Sequence, residues 1–386
     1  MIKKVLIILV SLGIGLYIGF FILNNVFQNK KANSIILNPL AKQNLIIGFL
    51  PYWLIPEADK DYSKYLNTLS YFGLTIDDDG TIKQFTNPGE SEPGFYALKN
   101  GKINEILKSA TKNNLKKSLL IFSSNEEDIG KLLENPVVHA ENLMEEITPI
   151  MKDYGFTDLN LDIESVMVAS EESRINFTTF VKTVKEKMNE ENLGTLTIDV
   201  SPIVFFKKYL VDVEAIKNFV DYVILMTYDY HYQGSSTTGA VAPINGAGDD
   251  AEFDIDVSIK EAQKILSTDK IVLGVPLYGY EWETIDEATH SAVIPGSGIV
   301  ASNKRIEKQI KSCTDCKISF DKTAKESFLI YKDEKTDAYH QIYYPTENSM
   351  TEKIKLVEKY DLAGIALWAL GYDGETILEP LKSYKD

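Results

Sequence analysis

Cysteine is nearly absent. The 386 residues hold two, Cys313 and Cys316, in a single Ser-Cys-Thr-Asp-Cys turn. A zinc site would need two more ligands, and no nearby pair of histidines supplies them, which leaves a local disulfide or two free thiols in a surface loop. Export would favour the disulfide. Positive charge is also in short supply: 40 Lys and Arg stand against 56 Asp and Glu, for a formal net charge of −16. A phosphate-binding protein would carry a basic stripe, so nucleic acid is excluded as a partner and a neutral ligand fits better. Internal repeats, a long low-complexity linker and a second catalytic-looking domain are missing too. The chain is long enough for two ordinary domains or for one α/β barrel with an insertion.

One uncharged, mostly apolar run exists, from Val5 to Leu23, with Lys3 and Lys4 before it and Lys30 and Lys31 after. Its 19 residues nearly span a bilayer. A secretory h-region is shorter, about 7–15 residues, and no A-x-A-like site follows, so an uncleaved signal anchor is favoured over a cleaved signal peptide. The basic pair in front weakly favours an inside N-terminus, although the second pair blurs that bias. Residues 1–31 are therefore expected to form a transmembrane anchor, 32–44 a linker, and 45–386 an extracytoplasmic body, secreted if the anchor is cleaved. No cysteine lies near the segment, so a lipid anchor is not indicated. A monomer is expected.

Eight strand-like runs follow: Leu45 to Trp53, Leu69 to Ile76, Ser118 to Ser123, Asp158 to Glu164, Thr195 to Ser201, Tyr222 to Asp229, Lys270 to Tyr278 and Gly364 to Leu370. Several are near-continuous apolar runs, as buried parallel strands should be. Stretches with helical periodicity lie between most of them, such as Ile103 to Asn113, Val137 to Tyr154, Ser173 to Asn189, Val257 to Leu266 and Thr351 to Tyr360. Alternation of this kind means βα units, and eight of them predict a closed (β/α)8 TIM barrel. Between the seventh and eighth strands roughly 80 residues replace a single helix. Short alternating runs there, Ser327 to Tyr331 and Tyr339 to Tyr344, predict a small inserted lobe over about 281–345 on the barrel rim.

The fourth strand carries the chemistry. Successive side chains on a strand point to opposite faces, so Asn160, Asp162 and Glu164 share one face while Leu159, Leu161 and Ile163 share the other. In a parallel barrel the aliphatic face packs under helices and the polar row points inward, ending at the C-terminal rim where such enzymes work. Two carboxylates that close can hold one proton between them and raise an apparent pKa toward neutrality, which suits Glu164 to act as a general acid. On the sixth strand Met226 and Tyr228 share a face. Tyr52 and Trp53 end the first strand, and Trp368 sits on the eighth, so aromatic surfaces on which sugar rings stack are available at several rims. Taken singly, a strand-end Glu is as often a salt-bridged structural residue, and a strand Trp more often core. Three consecutive inward polar positions are harder to explain without a solvated pocket.

These residues resemble the chitinase-like glycoside hydrolase family 18. Its Asp-Gly-x-Asp-x-Asp-x-Glu run on the fourth strand corresponds to Thr157-Asp158-Leu159-Asn160-Leu161-Asp162-Ile163-Glu164. Further matches are Gly48-Phe49-Leu50-Pro51-Tyr52-Trp53, Met226-Thr227-Tyr228-Asp229-Tyr230-His231, Val241-Ala242-Pro243, Gly274-Val275-Pro276-Leu277-Tyr278-Gly279 and Gly364-Ile365-Ala366-Leu367-Trp368. The resemblance implies a retaining hydrolase of β-1,4-linked N-acetylglucosamine glycans, chitin-type or peptidoglycan, in which the substrate supplies its own nucleophile. Glu164 would be the acid and base, Asp162 would orient the acetamido group, Tyr228 would donate to its oxygen, and Trp368 would floor the pocket. Asn160, Met226, Asp229, Tyr278, Tyr52 and Trp53 match surrounding pocket positions. No metal or organic cofactor is implied.

The chain departs from the family pattern in places. Thr157 and Asp158 replace the first Asp and Gly, Asn160 the middle Asp, and Ile163 the residue before the acid. The third strand ends in Phe122-Ser123-Ser124 in place of Ser-x-Gly-Gly, and Tyr280 stands where an Arg is common. The other class of reading is a catalytically inactive, carbohydrate-binding protein on the same barrel. Inactive members typically lose the final Glu or its partner Asp, and both are kept here.

Overall fold

The computed structural model describes residues 44–249 and 252–385. The expected anchor, residues 1–31, and all but the last residue of the 32–44 linker lie outside them. Among the described residues no helix is long and apolar enough to cross a membrane.

Eight parallel strands close into a barrel: β1 (Leu45–Pro51), β2 (Thr68–Thr75), then, after a short hairpin of β3 (Phe85–Asn87) and β4 (Glu90–Ser91), β5 (Lys116–Ser123), β6 (Asp158–Ile163), β7 (Thr195–Val200), β8 (Tyr222–Leu225), β9 (Ile271–Pro276) and finally β15 (Gly364–Trp368). The order around the barrel is β1-β15-β9-β8-β7-β6-β5-β2. These are the eight runs that the alternation picks out. All but β5 end earlier than the pattern suggests, and two of those ends bear on the site. β1 stops at Pro51, after which Tyr52–Leu54 form a 3-10 turn. β8 stops at Leu225, because Thr227 N–H turns back to the Leu225 carbonyl at 2.8 Å. Period-two reasoning about Met226 and Tyr228 therefore fails past that point, and Asp229 adopts φ 61°.

The two faces of each strand serve different cores. Outward residues such as Leu159, Leu161, Ile163, Leu196 and Ile198 are buried with helix residues Ile147, Phe177 and Phe180 in a continuous shell. Each such side chain contributes roughly 1.5–3 kcal/mol by leaving water. Inward residues of β1, β2, β5, β8, β9 and β15, among them Ile47, Phe49, Phe72, Leu120, Ile224 and Val272, make a smaller apolar cluster inside the barrel, with Phe122, Tyr222 and Trp368 packed against it. The interior of β6 and β7 is polar.

Five antiparallel strands form the lobe between β9 and β15: β10 (Tyr278–Thr284), β11 (Ile299–Ser302), β12 (Lys317–Asp321), β13 (Glu326–Lys332) and β14 (Tyr339–Tyr344), ordered β11-β10-β14-β13-β12, with the helix Asn303–Ser312 between β11 and β12. Only Leu277 separates β9 from β10, and its N–H bonds the Trp368 carbonyl at 2.6 Å. Cys313 and Cys316 are joined as a disulfide in the loop after that helix.

Inside the lobe Glu281 is buried. It accepts from Tyr331 Oη at 2.5 Å and pairs with His340 Nδ1 at 3.0 Å and Arg305 Nη1 at 2.7 Å. Burial alone would raise its carboxyl, but the hydrogen bonds from His340, Tyr331 and Arg305 and the guanidinium charge outweigh it and hold the group at about 2, below its ordinary 4.5. A carboxyl depressed by folding contributes stability above its unfolded value, and that contribution is lost as pH falls through the folded one. Between pH 4.5 and 2 the wild-type melting temperature should therefore fall more steeply than that of Glu281→Gln. Parallel curves in a pH series of thermal melts would contradict this.

Candidate active site

The chain reaches β6 through a defined stop. The helix Pro136–Tyr154 ends at Gly155, whose φ of 68° places it in the left-handed region open to glycine at no steric cost. Thr157 N–H then bonds the Lys117 carbonyl, and the strand pairs with β5 so that Asp158 faces Ser118, Asn160 faces Leu120 and Asp162 faces Phe122. The inward column is buried throughout. At its base Asp158 accepts from Ser118 and Thr195 hydroxyls at 2.6 Å each and from Thr197 at 2.8 Å. Burial nonetheless pushes its carboxyl up to about 6. Above it the Asn160 amide donates to Asp199 Oδ1 at 2.8 Å.

Glu164 follows the strand's last residue, with its N–H on the Ser123 carbonyl at 2.8 Å. Its side chain is half-buried and lines a cavity of about 230 Å³ together with Asp199 and Met226 and with Ile163, Val200 and Val211 of the outer shell; Asp162, Tyr228 and Trp368 do not line it. The loop beyond is held by Glu126, whose carboxylate receives the Ser165 hydroxyl at 2.9 Å and the Val166 N–H at 2.9 Å. A larger cleft, about 400 Å³, lies beside Leu50, Leu69 and the helix Ile103–Lys112, away from these carboxylates.

Electrostatics favour protonated acids here. Burial, then the charges of Asp199 and Glu164, push Asp162 well above the usual carboxylate range. Burial and Asp229 raise Glu164. Desolvation and the like charges of neighbouring carboxylates both disfavour ionisation, so the cluster as a whole retains protons. Tyr228 is raised well above 10 by burial and by Asp199, Asp162 and Glu164, so its phenol remains a donor.

Aromatic rings complete the rim. Trp368 packs against Phe72 at 5.2 Å, Phe49 at 5.8 Å and Trp53 at 6.4 Å between ring centroids, and Trp53 keeps 44% of its surface exposed. Tyr278 sits 6.4 Å from Tyr228 and donates to Asp229 Oδ1 at 2.5 Å, a carboxylate oxygen that Tyr280 also reaches at 3.0 Å. Of the residues singled out from the sequence, Asn160, Asp162, Glu164, Met226, Tyr228, Asp229, Tyr278, Trp368 and Trp53 gather at this end of the barrel. Tyr52 lies in the 3-10 turn after β1, packed against the outer helical shell, with its ring 5.0 Å from that of Trp53.

Three contributors escaped sequence reasoning. Asp199 shows the same period-two signal as Asn160, through Thr195, Thr197 and Asp199, and could have been found that way. Phe72 is hidden in an apolar run. Glu126 stabilises its loop through a contact 40 residues away, which no local pattern marks.

Comparison with known proteins agrees with this geometry. The family model "Glycosyl hydrolases family 18" matches residues 27–373. The "Cortical fragment-lytic enzyme" of Bacillus subtilis (strain 168) is 25% identical over 334 residues, covering 82% of this chain and 67% of that protein. Among solved structures, the Ostrinia furnacalis Group IV chitinase in complex with allosamidin superposes with a TM-score of 0.75 at 19% identity, over 88% of this chain and 98% of that one. The Bacillus cereus spore cortex-lytic enzyme SleL gives 0.68 at 21% identity, over 88% and 73%. A closed parallel barrel with a carboxylic acid at the end of its fourth strand, matched by one family along most of its length, makes this chain a glycosidase of glycosyl hydrolases family 18.

Proposed function

We propose that the protein is a retaining hydrolase of β-1,4-linked N-acetylglucosamine glycans, chitin-type chains or the N-acetylglucosamine linkage of peptidoglycan, working by substrate assistance. The observation that carries this reading is the raised carboxyl of Glu164, one residue past the end of β6 and close enough to Asp162 for its charge to raise that carboxyl too. Glu164 gives its proton to the glycosidic oxygen as the C1–O bond breaks. The acetamido oxygen of the sugar being cleaved attacks C1 from the other face, forming an oxazolinium ring. Water opens that ring and returns a proton to Glu164. Asp162 takes a hydrogen bond from the acetamido N–H and so aligns the oxygen for attack. Tyr228 donates to that oxygen, and Trp368 with Trp53 offers an apolar surface beneath the ring. Asn160, Met226, Asp229 and Tyr278 hold these groups in place.

A binding protein without catalysis would not need a carboxylic acid held protonated at a strand end, and nothing in the site favours that reading over hydrolysis. Tethering by residues 1–31, with the barrel outside the membrane and acting as a monomer, fits a polymer substrate. Incubation with chitin oligomers and with purified peptidoglycan, followed by mass spectrometry of the products, tests the proposal. The expected result is fragments with the β configuration retained at the new reducing end, read by NMR before mutarotation. An α anomer as the first product, or no cleavage of either polymer, would overturn it.

A further inference from the structure

Asp199 is a buried carboxylate that the reaction scheme above leaves without a task. It is 5% exposed, on the inner face of β7. The pairing of β6 with β7 sets Asn160 opposite Thr197 and Leu161 opposite Ile198, so the next step brings Asp199 level with Asp162. Neighbouring strands lie about 4.8 Å apart. Oδ1 of Asp199 is committed to the Asn160 amide at 2.8 Å. Oδ1 of Asp162 is fully buried and, among the described residues, accepts no hydrogen bond. No salt bridge among the described residues reaches either carboxyl.

Two buried carboxyls side by side, lacking a counter-charge, cannot both ionise. One proton must stay with the pair. The groups facing it are Asp158 below, Glu164 above and the Tyr228 phenol across the barrel, none of them cationic. Among the described residues two buried acceptors nearby lack a donor, Asp162 Oδ1 and Asn160 Oδ1, and the Asn160 amide already donates to one oxygen of Asp199. The hydrogen-bond pattern thus assigns the proton to Asp199.

We infer that Asp199 is a positioning residue: it holds a proton on Oδ2 and donates it in a hydrogen bond to Oδ1 of Asp162, leaving the other Asp162 oxygen to receive the substrate's acetamido N–H. The inference rests on the proposed substrate-assisted reading. Through the cycle the pair keeps one proton and one negative charge. On β6 this chain carries an amide, Asn160, where the resembled pattern has an Asp, and the neighbouring strand supplies the carboxyl.

The test uses the full-length chain on chitin oligosaccharides, with kcat and KM measured across pH for wild type, Asp199→Asn, Asp199→Ala and Glu164→Gln. Asparagine mimics the protonated acid, since its amide can accept from Asn160 and donate to Asp162. Asp199→Asn is expected to keep kcat within about threefold with the alkaline limb unmoved, whereas Asp199→Ala loses roughly 10- to 100-fold in kcat with a smaller change in KM. Infrared difference spectra of wild type minus Asp199→Asn near neutral pH should contain the carbonyl stretch of a protonated carboxyl, a readout independent of turnover. Three results would overturn the inference: equal losses in the Asn and Ala variants, an alkaline limb moved to lower pH in Asp199→Asn, or no protonated-carboxyl band. If Glu164→Gln leaves the rate intact, the failure lies in the hydrolase reading itself and not in the role of Asp199.

Discussion

Glu164→Gln is expected to lower kcat on a cleaved glycan by roughly 10²–10⁴-fold with little change in KM. The amide keeps the shape of the side chain and its place in the cavity but has no proton to give to a leaving oxygen. Stability should move the other way. A carboxyl raised by folding favours the native state below its unfolded value, and that contribution is lost as pH rises through the raised one. At neutral pH ionisation of Glu164 beside Asp162 and Asp229 therefore works against the fold. The variant should melt at or above the wild-type temperature at pH 7, a common trade between activity and stability at such sites. A steady-state assay and a thermal melt on the same preparation check both halves. A variant that is inactive because it is unfolded would show as a lower melting temperature, and an active one would remove Glu164 from the mechanism.

The largest expected loss of stability lies elsewhere, at Glu326 on β13. Its carboxylate, fully buried, accepts from the Val241 N–H at 2.8 Å and the Ala242 N–H at 3.0 Å, and pairs with the equally buried Lys353 of the helix Glu347–Lys359 at 3.2 Å. Removing either partner leaves an uncompensated charge in the interior, which costs about 3–5 kcal/mol. Glu326→Ala also strands two backbone donors, each worth roughly 1–3 kcal/mol when unsatisfied. Glu326→Ala and Lys353→Met should each lower the unfolding free energy by that order. The double variant should be less destabilised than the sum of the singles, because an apolar pair strands no charge. Urea unfolding of the four proteins closes the cycle, and additive losses would show that the pair is not coupled. The loop it holds includes Val241, whose carbonyl receives the Tyr230 N–H two residues beyond Tyr228, so activity should fall along with stability.

Local periodicity carried most of what proved legible. The barrel strands follow from apolar runs whose period and length leave little alternative. The row of Asn160, Asp162 and Glu164 follows from alternation alone, because a polar face on a strand with an aliphatic back has one sensible orientation inside a barrel. Where the chain left the strand the same logic stopped working. Past Leu225 the backbone turns, Thr227 becomes fully buried with its hydroxyl on the Gly274 carbonyl at 2.6 Å, and the facing of Tyr228 is set by that turn. Tyr52 likewise lies past the end of its strand, in the 3-10 turn after Pro51. The pairings of Glu326 with Lys353, Asn160 with Asp199 and Glu126 with the loop after Glu164 join residues 27 to 40 positions apart and depend on which strands become neighbours. Asp199 was readable in principle as a polar inward position, yet only the β6–β7 register shows that it stands beside Asp162.

The single residue between β9 and β10, together with the lysine lent by a helix that follows the lobe, bears on how such an enzyme could be re-engineered. A graft of a foreign rim module cut at Tyr278 and Tyr344 would leave Lys353 behind with no carboxylate to neutralise it. Transplants should therefore carry the stretch through Lys359, so that the module arrives with its own counter-ion.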